Sequence, residues 1–498
     1  MSSNLRFGSG PESEGGMGHA MAGSWGLFLA FALISGVMVA FSYVHPCMPM
    51  MTCLVSKVSG LIAIFFLGKT CLASCPQSCP TTSIRWLLPF QSNTSQEQHT
   101  DFKHDVLPLE GYTFRTYKSI DSIGYTHWDA LTSDDVFLQR DYLRALELHP
   151  PHTMSFRYLT LLREGVPVGA AYVQLLELDL AQLGEDVDQP WIRRVLSLLG
   201  PAIGVSGGGQ HLRVLMCGNA LGSGEHAVVF SSDVEAEEGF RVLSSALQKL
   251  ARSESRERPV TFIAVKDFSQ KTTEHTVLHC ECGYQPLTAE PMMAVTLRPE
   301  WNSFDDYMGA MTKKYRKRVR DARKKGAGLS RRSLQAQEIL HHAARIDALF
   351  VEVLHRAGFR LARITAETFA SLKTRLGERL IFDVYELEGE IVGFKVSLLN
   401  KSYLDAYLVG IDYEVNRAHC LYQNMLYDFV ELGLDMKKES VHMGRTALEI
   451  KSCVGAEAQE MSFYVRHPQT LPNTLLKPFF SLAPEKEWTP RHPFSTPS

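Results

Sequence analysis

"LIFDVYELEGEIVGFKVSLLNKSYLDAYLVGI", residues 380–411, decides how this chain is read. Its β-branched and aromatic runs are broken only at Glu388-Gly389 and near Asn400-Lys401. Such runs, bounded by turn residues, read as three consecutive antiparallel strands. Just downstream, Leu421, Tyr422, Met425, Leu426, Phe429 and Val430 share one face of a helix that Gly433 is expected to stop. A short strand near 440–443, a polar turn-and-helix "GRTALEIKSCVGA" (444–456) and a last strand "MSFYVRH" (461–467) complete the series. Helices near 336–357 and 365–376 precede it. Helix, helix, strands, helix, strand, helix, strand is an α+β order, and it argues against a doubly wound parallel sheet.

Upstream the pattern is similar. Phe137, Leu138, Tyr142, Leu143 and Leu146 recur at helical spacing within 134–149. Residues 156–178 read as two strands joined across Glu164-Gly165, and 212–230 as strand, glycine-rich loop, strand. A helix at 234–252 and strands at 260–265 and 292–299 follow. "GVSGGGQ" (204–210) lacks the spacing of a nucleotide-binding glycine loop and reads as a plain loop. At 498 residues, and with about 150 residues per domain as the prior, two or three domains are expected. The expected division is an N-terminal region 1–106, a first half 107–300, a second half 301–467 and a proline-punctuated tail 468–498.

The first hundred residues differ in kind. Residues 20–44 hold no charged side chain and are long enough to span a bilayer as a helix, with 58–68 as a shorter second stretch. A membrane anchor, a targeting segment or an extension foreign to the mature protein all fit, so the expected location is membrane-associated with a cytoplasmic body, or cytoplasmic if the segment is removed. "LGKT" (67–70) ends like a phosphate-binding loop, but Ala63 stands where that loop needs glycine. Cys71, Cys75 and Cys79 lack a fourth ligand and suit lipidation better than metal. Residues 91–104 are polar and read as a linker. Cys217, Cys280, Cys282, Cys420 and Cys453 are scattered through the remainder, which reads as a reduced interior with no metal site.

Against a formal net charge of −3, nine lysines and arginines crowd between Lys313 and Lys325. The segment reads as a helix starting near Phe304. Lys313, Lys317, Arg320 and Lys324 lie along one side, and Tyr315, Val319 and Ala322 mark another. Such a helix docks while presenting charge to a phosphate-bearing ligand, or is merely a solvated basic face.

"KKYRKRVRDARKKG" (313–326), "IVGFKVSLL" (391–399), "LVGIDYEVNRAHCLYQNMLYDFVELG" (408–433) and "GRTALEIKSCVGA" together resemble the GNAT acyltransferase superfamily, and within it the branch of Fem-type peptidoglycan aminoacyltransferases and BioF-type GNAT acetyltransferase domains. The resemblance spans roughly 107–467. It implies two tandem GNAT-like halves and transfer of an acyl or aminoacyl group to an amine. The implied donor is acyl-coenzyme A, with charged tRNA as the alternative, and the implied partner is an amine-bearing acceptor. In such enzymes the donor pocket lies where middle strands splay and the amphipathic helix begins. That places Asn416 and Arg417 as donor-binding candidates beside Lys313, Lys317, Arg320 and Lys324, although no glycine follows Arg417 as the usual acetyltransferase loop requires.

The chemistry needs a deprotonated amine, an acid for the leaving group and a donor toward the oxyanion. Arg445, Glu449 and Lys451 are close in sequence. If 446–452 is helical, Arg445 and Glu449 share a face. Glu449 is then the candidate base, Arg445 or Lys451 the holder of negative charge, and Tyr422 a candidate acid. The competing function is a non-catalytic GNAT-like module that binds nucleic acid or anionic lipid through residues 313–332.

Overall fold

The computed structural model describes residues 102–106, 111–179, 211–270, 273–287, 290–357, 363–480 and 488–495. The apolar segments 20–44 and 58–68, the cysteines before residue 80 and the glycine-rich 204–210 lie outside the described residues. Among the described residues no helix is long and apolar enough to cross a membrane.

The chain builds two mixed sheets. The first holds β1 (Phe102–Val106), β2 (Tyr112–Tyr117), β3 (Met154–Arg163), β4 (Val166–Asp179), β5 (His211–Cys217), β6 (Val228–Phe230), β7 (Phe262–Ser269) and β8 (Gln285–Leu287). The second holds β9 (Met292–Thr296), β10 (Ser330–Ser333), β11 (Leu380–Leu387), β12 (Glu390–Leu399), β13 (Tyr403–Ile411), β14 (Ser440–His442) and β15 (Glu457–Gln459). The last strand, β16 (Met461–Arg466), returns to the first sheet. The orders are β1-β2-β3-β4-β5-β7-β16-β8, with β6 on β4, and β10-β11-β12-β13-β14-β9-β15.

The two orders repeat one plan. From β2 to β8 and from β10 to β15 the pairings run antiparallel three times, parallel once, then antiparallel twice. The parallel steps are β5 with β7 and β13 with β14. Each requires a crossover, made in the first sheet by the helix α1 (Ala236–Glu254). In both sheets the sixth strand comes from the other part of the chain. β9 inserts beside β14, and β16 inserts beside β7. Through this exchange residues 97–498 form one compact unit.

Between β9 and β10 run α2 (Phe304–Ala310) and α3 (Lys313–Lys325). They are two helices where one was expected. Met311 is extended (ψ 153°), and the Thr312 amide donates to the Pro493 carbonyl at 2.8 Å. Three helices follow: α4 (Ala336–His341), α5 (Ala343–Ala357) and α6 (Ala366–Leu376). The second crossover is α7 (Tyr413–His419) and α8 (Leu421–Asp435), joined at Cys420 in the left-handed conformation. Then comes α9 (Leu448–Ser452).

Three readings need correction. Residues 91–104 are not all linker, because β1 begins at Phe102. Gly433 does not stop α8. It lies inside the helix, where a Cβ would come within 2.6 Å of Val441 Cγ2, so the missing side chain lets α8 lie close on β14. The helix ends at Asp435, just before Lys437 with φ 51°. Residues 446–452 are not one helix, because Thr446 (φ 66°) and Ala447 (φ 49°) are left-handed and α9 starts at Leu448.

Candidate functional site

What opens the site is a strand that outruns its partner. β13 pairs with β14 only at Tyr403–Ser440, Leu404–Val441 and Asp405–His442, yet continues to Ile411. On its other side β12 stays paired up to Ile411. In that ladder Ser397 faces Ala406 and Val396 faces Leu408, which leaves Tyr407 as an extra residue. A bulge of this kind bends and twists its strand, and here it coincides with the parting of β13 from β14. Among the described residues no strand pairs with the freed edge of β13. Buried backbone amides and carbonyls demand partners, so such an edge is a ready acceptor of an extended, amide-bearing ligand.

Against that edge lies a cavity of about 280 Å³. β13 supplies its floor from Asp405 to Val409. Phe350, Val353 and Leu354 of α5 form one wall, and Tyr422, Leu426 and Phe429 of α8 another. The 443–446 loop and Lys451 close one end, together with the Ala220–Ser223 loop from the first part of the chain. Apolar side chains dominate the α5 and α8 walls, while Ser223, Asp405, Arg445, Thr446 and Lys451 make the rest of the lining polar.

Two of those polar groups are displaced from their ordinary ionisation. Burial pushes the Lys451 ammonium down to about 7, against the opposing pull of Glu290 and Asp405. Burial pushes the Asp405 carboxyl up to about 7; His226 and Lys451 oppose it, and Asp135 adds to it. A lysine and a carboxyl that are both shifted to about 7 on the lining of one cavity can exchange protons with a group bound there. Lys451 Nζ also donates to the Arg445 carbonyl at 2.5 Å, which fixes its reach. Burial raises the Tyr422 hydroxyl well above its usual range, so it stays protonated.

The 443–447 loop is held from both sides. Arg445 Nη2 lies 2.5 Å from Asp267 Oδ1, its Nε donates to the Glu290 carbonyl at 2.7 Å, and the Thr446 amide donates to Glu290 Oε2 at 3.1 Å. A β-branched residue with positive φ is a strained backbone, and such strain clusters at functional sites.

Of the residues singled out from sequence, Lys451, Arg445 and Tyr422 come together around the cavity. Glu449 does not line it. Its carboxylate accepts from Arg491 Nη2 at 3.2 Å and is half exposed. The left-handed turn at 446–447 is the reason, since it breaks the helical spacing that would have put Arg445 and Glu449 on one face. Asn416 accepts from the Tyr422 amide at 2.8 Å, and so caps α8 with its own side chain. Arg417 is exposed at the end of α7.

Tyr315, Val319 and Ala322 form the buried face of α3, and Lys313, Lys317, Arg320 and Lys324 are all exposed. Among the described residues none of those four makes an ion pair. The helix sits on the side of α8 that carries Asn424, Asp428 and Glu431. Asn424 donates to the Ala322 carbonyl, and Arg323 bonds Asp428 at 2.5 Å and Glu431 at 3.3 Å. The cavity-facing residues Tyr422, Leu426 and Phe429 occupy another face of the same helix. None of the basic side chains lines the cavity.

Asp405 is the residue that sequence reasoning missed. Its signal was present, as a lone carboxylate inside the apolar run of 403–411. Among the described residues no group of three His, Cys, Asp or Glu stands close enough to hold a metal ion. All five cysteines of this region are free thiols.

No family model matches the chain, and no curated protein does. Among solved structures it is similar to FemX, at 11% identity and a TM-score of 0.43, over 72% of this chain and 98% of that one. It is similar to a tandem GNAT protein from the clavulanic acid biosynthesis pathway, at 11% identity and a TM-score of 0.44, over 72% and 99% of the two chains. A GCN5-related N-acetyltransferase from Sphaerobacter thermophilus is also similar, at 10% identity and a TM-score of 0.34, over 63% and 81%.

Proposed function

We propose that this chain is an N-acyltransferase built from two tandem GNAT-like halves, roughly 107–300 and 301–467, with one donor cleft. The observation that carries the reading is the freed edge of β13 beside a cavity that Lys451 and Asp405 both line. The edge pairs through its backbone with the amide-bearing arm of an acyl-coenzyme A and lays the thioester in the cavity. Asp405 accepts the proton of the incoming amine. Lys451, steadied by the Arg445 carbonyl, donates toward the developing oxyanion, and Tyr422 protonates the leaving thiolate. Arg445 is a positioning residue that ties the loop to Asp267. Arg417, Lys313, Lys317, Arg320 and Lys324 are offered to the donor's phosphates, and Asn416 shapes the start of α8. Glu449 has no part in the transfer. A charged tRNA as donor would use the same cleft and lean more heavily on α3.

The test is thiol release from acetyl-coenzyme A and longer acyl-coenzyme A thioesters with a panel of primary amines, alongside thermal-shift titration with the same donors and charged tRNA. Transfer that falls at least about 100-fold in both Lys451→Met and Asp405→Asn, in protein that stays folded, supports the reading. Binding of none of these donors sinks it. The four exposed, unpaired cations of α3 favour a second reading, a module that binds an anionic polymer or surface through 313–332. That reading requires binding which survives Lys451→Met and falls steeply with salt.

A further inference from the structure

One residue outside the cavity holds two of the segments that line it. Within "VKDFS" (265–269) of β7, strict alternation would send Lys266 and Asp267 to opposite faces of the sheet. The ladder to β16 slips at this point. Ser462 faces Phe268 and Phe463 faces Lys266, which leaves Asp267 as an extra residue. Its φ of 68° is left-handed, a conformation that costs a residue with a side chain free energy. The bulge brings its carboxylate to the Lys266 ammonium, and the aspartate is fully buried.

The carboxylate is shared between two loops. Its Oδ1 lies 2.5 Å from Arg445 Nη2, and its Oδ2 accepts from the Gly224 amide at 3.3 Å. Lys266 adds to the second contact by donating to the Asn219 and Gly222 carbonyls at 2.8 and 2.9 Å. Ala220–Ser223 and Met443–Thr446, the segments so held, both line the cavity. The bonded residues continue on either side. Asn219 Nδ2 donates to the Tyr142 hydroxyl at 2.9 Å, and that hydroxyl bonds the hydroxyl of Tyr407, the bulge residue of the β13 floor, at 2.9 Å. On the other side the Arg445 carbonyl accepts from Lys451 Nζ at 2.5 Å.

Burying a lysine, an aspartate and most of an arginine together is a poor device for stability alone. Apolar residues of similar volume often serve as well or better, and the best attested use of buried ionic groups is to fix register. We propose that Asp267 is a positioning residue for the transfer. From the first part of the chain it sets the spacing of the 219–224 and 443–447 loops and, through Arg445, the place of Lys451 Nζ. This deepens the acyl-transfer reading and rests on it. Asp267 does not line the cavity, touches no reacting atom and exchanges no proton.

The experiment compares Asp267→Asn with the wild type in the full chain, first by hydrogen–deuterium exchange. Peptides covering 219–224 and 443–447 are expected to exchange faster together, with the Glu388-Gly389 hairpin unchanged. Loosening of only one loop, of neither, or of the whole chain alike overturns the proposal. In turnover with acetyl-coenzyme A and lysine as probe substrates, kcat is expected to fall about 100-fold with KM for the donor unchanged. Lys451 acts as an ammonium, so kcat declines as pH rises through about 7. With the Arg445 carbonyl displaced that ammonium loses a bond, and the alkaline limb is expected at lower pH. A loss confined to KM, or a limb that stays in place, overturns the proposal. Arg445→Met leaves Lys266 paired with Asp267 and serves if Asp267→Asn does not fold. Faster exchange confined to 443–447, with a comparable fall in kcat, supports the proposal, and unchanged exchange there overturns it. Where both variants fold, the double variant is expected to lose no more activity than the weaker single one, and additive losses contradict the shared path. If the wild type turns over no acyl donor, the acyl-transfer reading fails, while the exchange still decides whether one carboxylate holds both loops.

Discussion

The two parallel steps of this molecule follow one plan and end differently. In the first sheet β5 pairs with β7 from Val214 to Cys217, and β5 stops there. The space beyond is filled from within. Lys266 crosses it, donates to the Asn219 and Gly222 carbonyls at 2.8 and 2.9 Å, and pairs with Asp267. The fit is close enough that a Cβ on Gly218 would stand 2.5 Å from Lys266 Cγ. In the second sheet β13 runs on past β14, and Asp405 and Lys451 face a cavity instead of each other's full complement of partners. Both places bury a lysine and an aspartate. In one the lysine and aspartate pair with each other, whereas in the other Lys451 bonds the Arg445 carbonyl and, among the described residues, no ion pair joins it to Asp405. Asp267 shows the contrast in its ionisation: burial alone would raise it, but Lys266 and Arg445 carry it below the usual carboxylate range, while Asp405 stands near 7.

The largest expected effect breaks the closed end. Asp267→Ala strips the partner from buried Lys266 and from Arg445 together, and is expected to cost about 3–5 kcal/mol in urea unfolding. A cost under about 1 kcal/mol would mean that the closed step is not a structural core. The open end should behave the opposite way. Lys451→Met removes a buried ammonium without stranding a paired charge, so it is expected to stabilise by about 2 kcal/mol while abolishing transfer. A fall in Tm would place Lys451 with the paired set.

The pH dependence sharpens the same contrast. The raised folded value of Asp405 contributes stability that is present below about 4 and is lost as pH rises through about 7. The depressed folded value of Lys451 contributes stability that is present above about 10.5 and is lost as pH falls through about 7. Together they give the folded protein a local minimum of stability near neutrality. Unfolding at pH 5, 7 and 9 should show Asp405→Asn flattening the acid limb and Lys451→Met the alkaline one. Unchanged limbs in both variants would deny the pair its shifted ionisation. The smallest effect is at the surface. Replacing Lys313, Lys317, Arg320 and Lys324 by Gln should move stability by less than about 0.5 kcal/mol per site, because their side chains are solvated. It should weaken donor binding in a salt-dependent way.

Much of this was legible in the chain. The hairpin at Glu164-Gly165, the three strands of 380–411 and the buried stripe of α3 follow from local periodicity and turn residues, and each is present. Strand exchange was not legible, because "MMAVT" and "MSFYVR" read as strands whichever sheet receives them. Pairing partners are chosen by long-range packing, which period-2 alternation does not encode. Lys451 and Arg445 were found because charged side chains crowd a short segment. Glu449 was favoured by the assumption of helical spacing, which Thr446 and Ala447 break with a left-handed turn that side chains of their type rarely adopt. Asp405 was overlooked because strand reading assigns one polar residue in an apolar run to solvent.

Hydrogen–deuterium exchange of the full chain with and without acetyl-coenzyme A bears most directly on the open cleft. Protection is expected in peptides covering Ala406–Ile411, with the β5 end at Val214–Gly218 unchanged. Protection at the β5 end with none along 406–411, or none in either place at saturating donor, would contradict it.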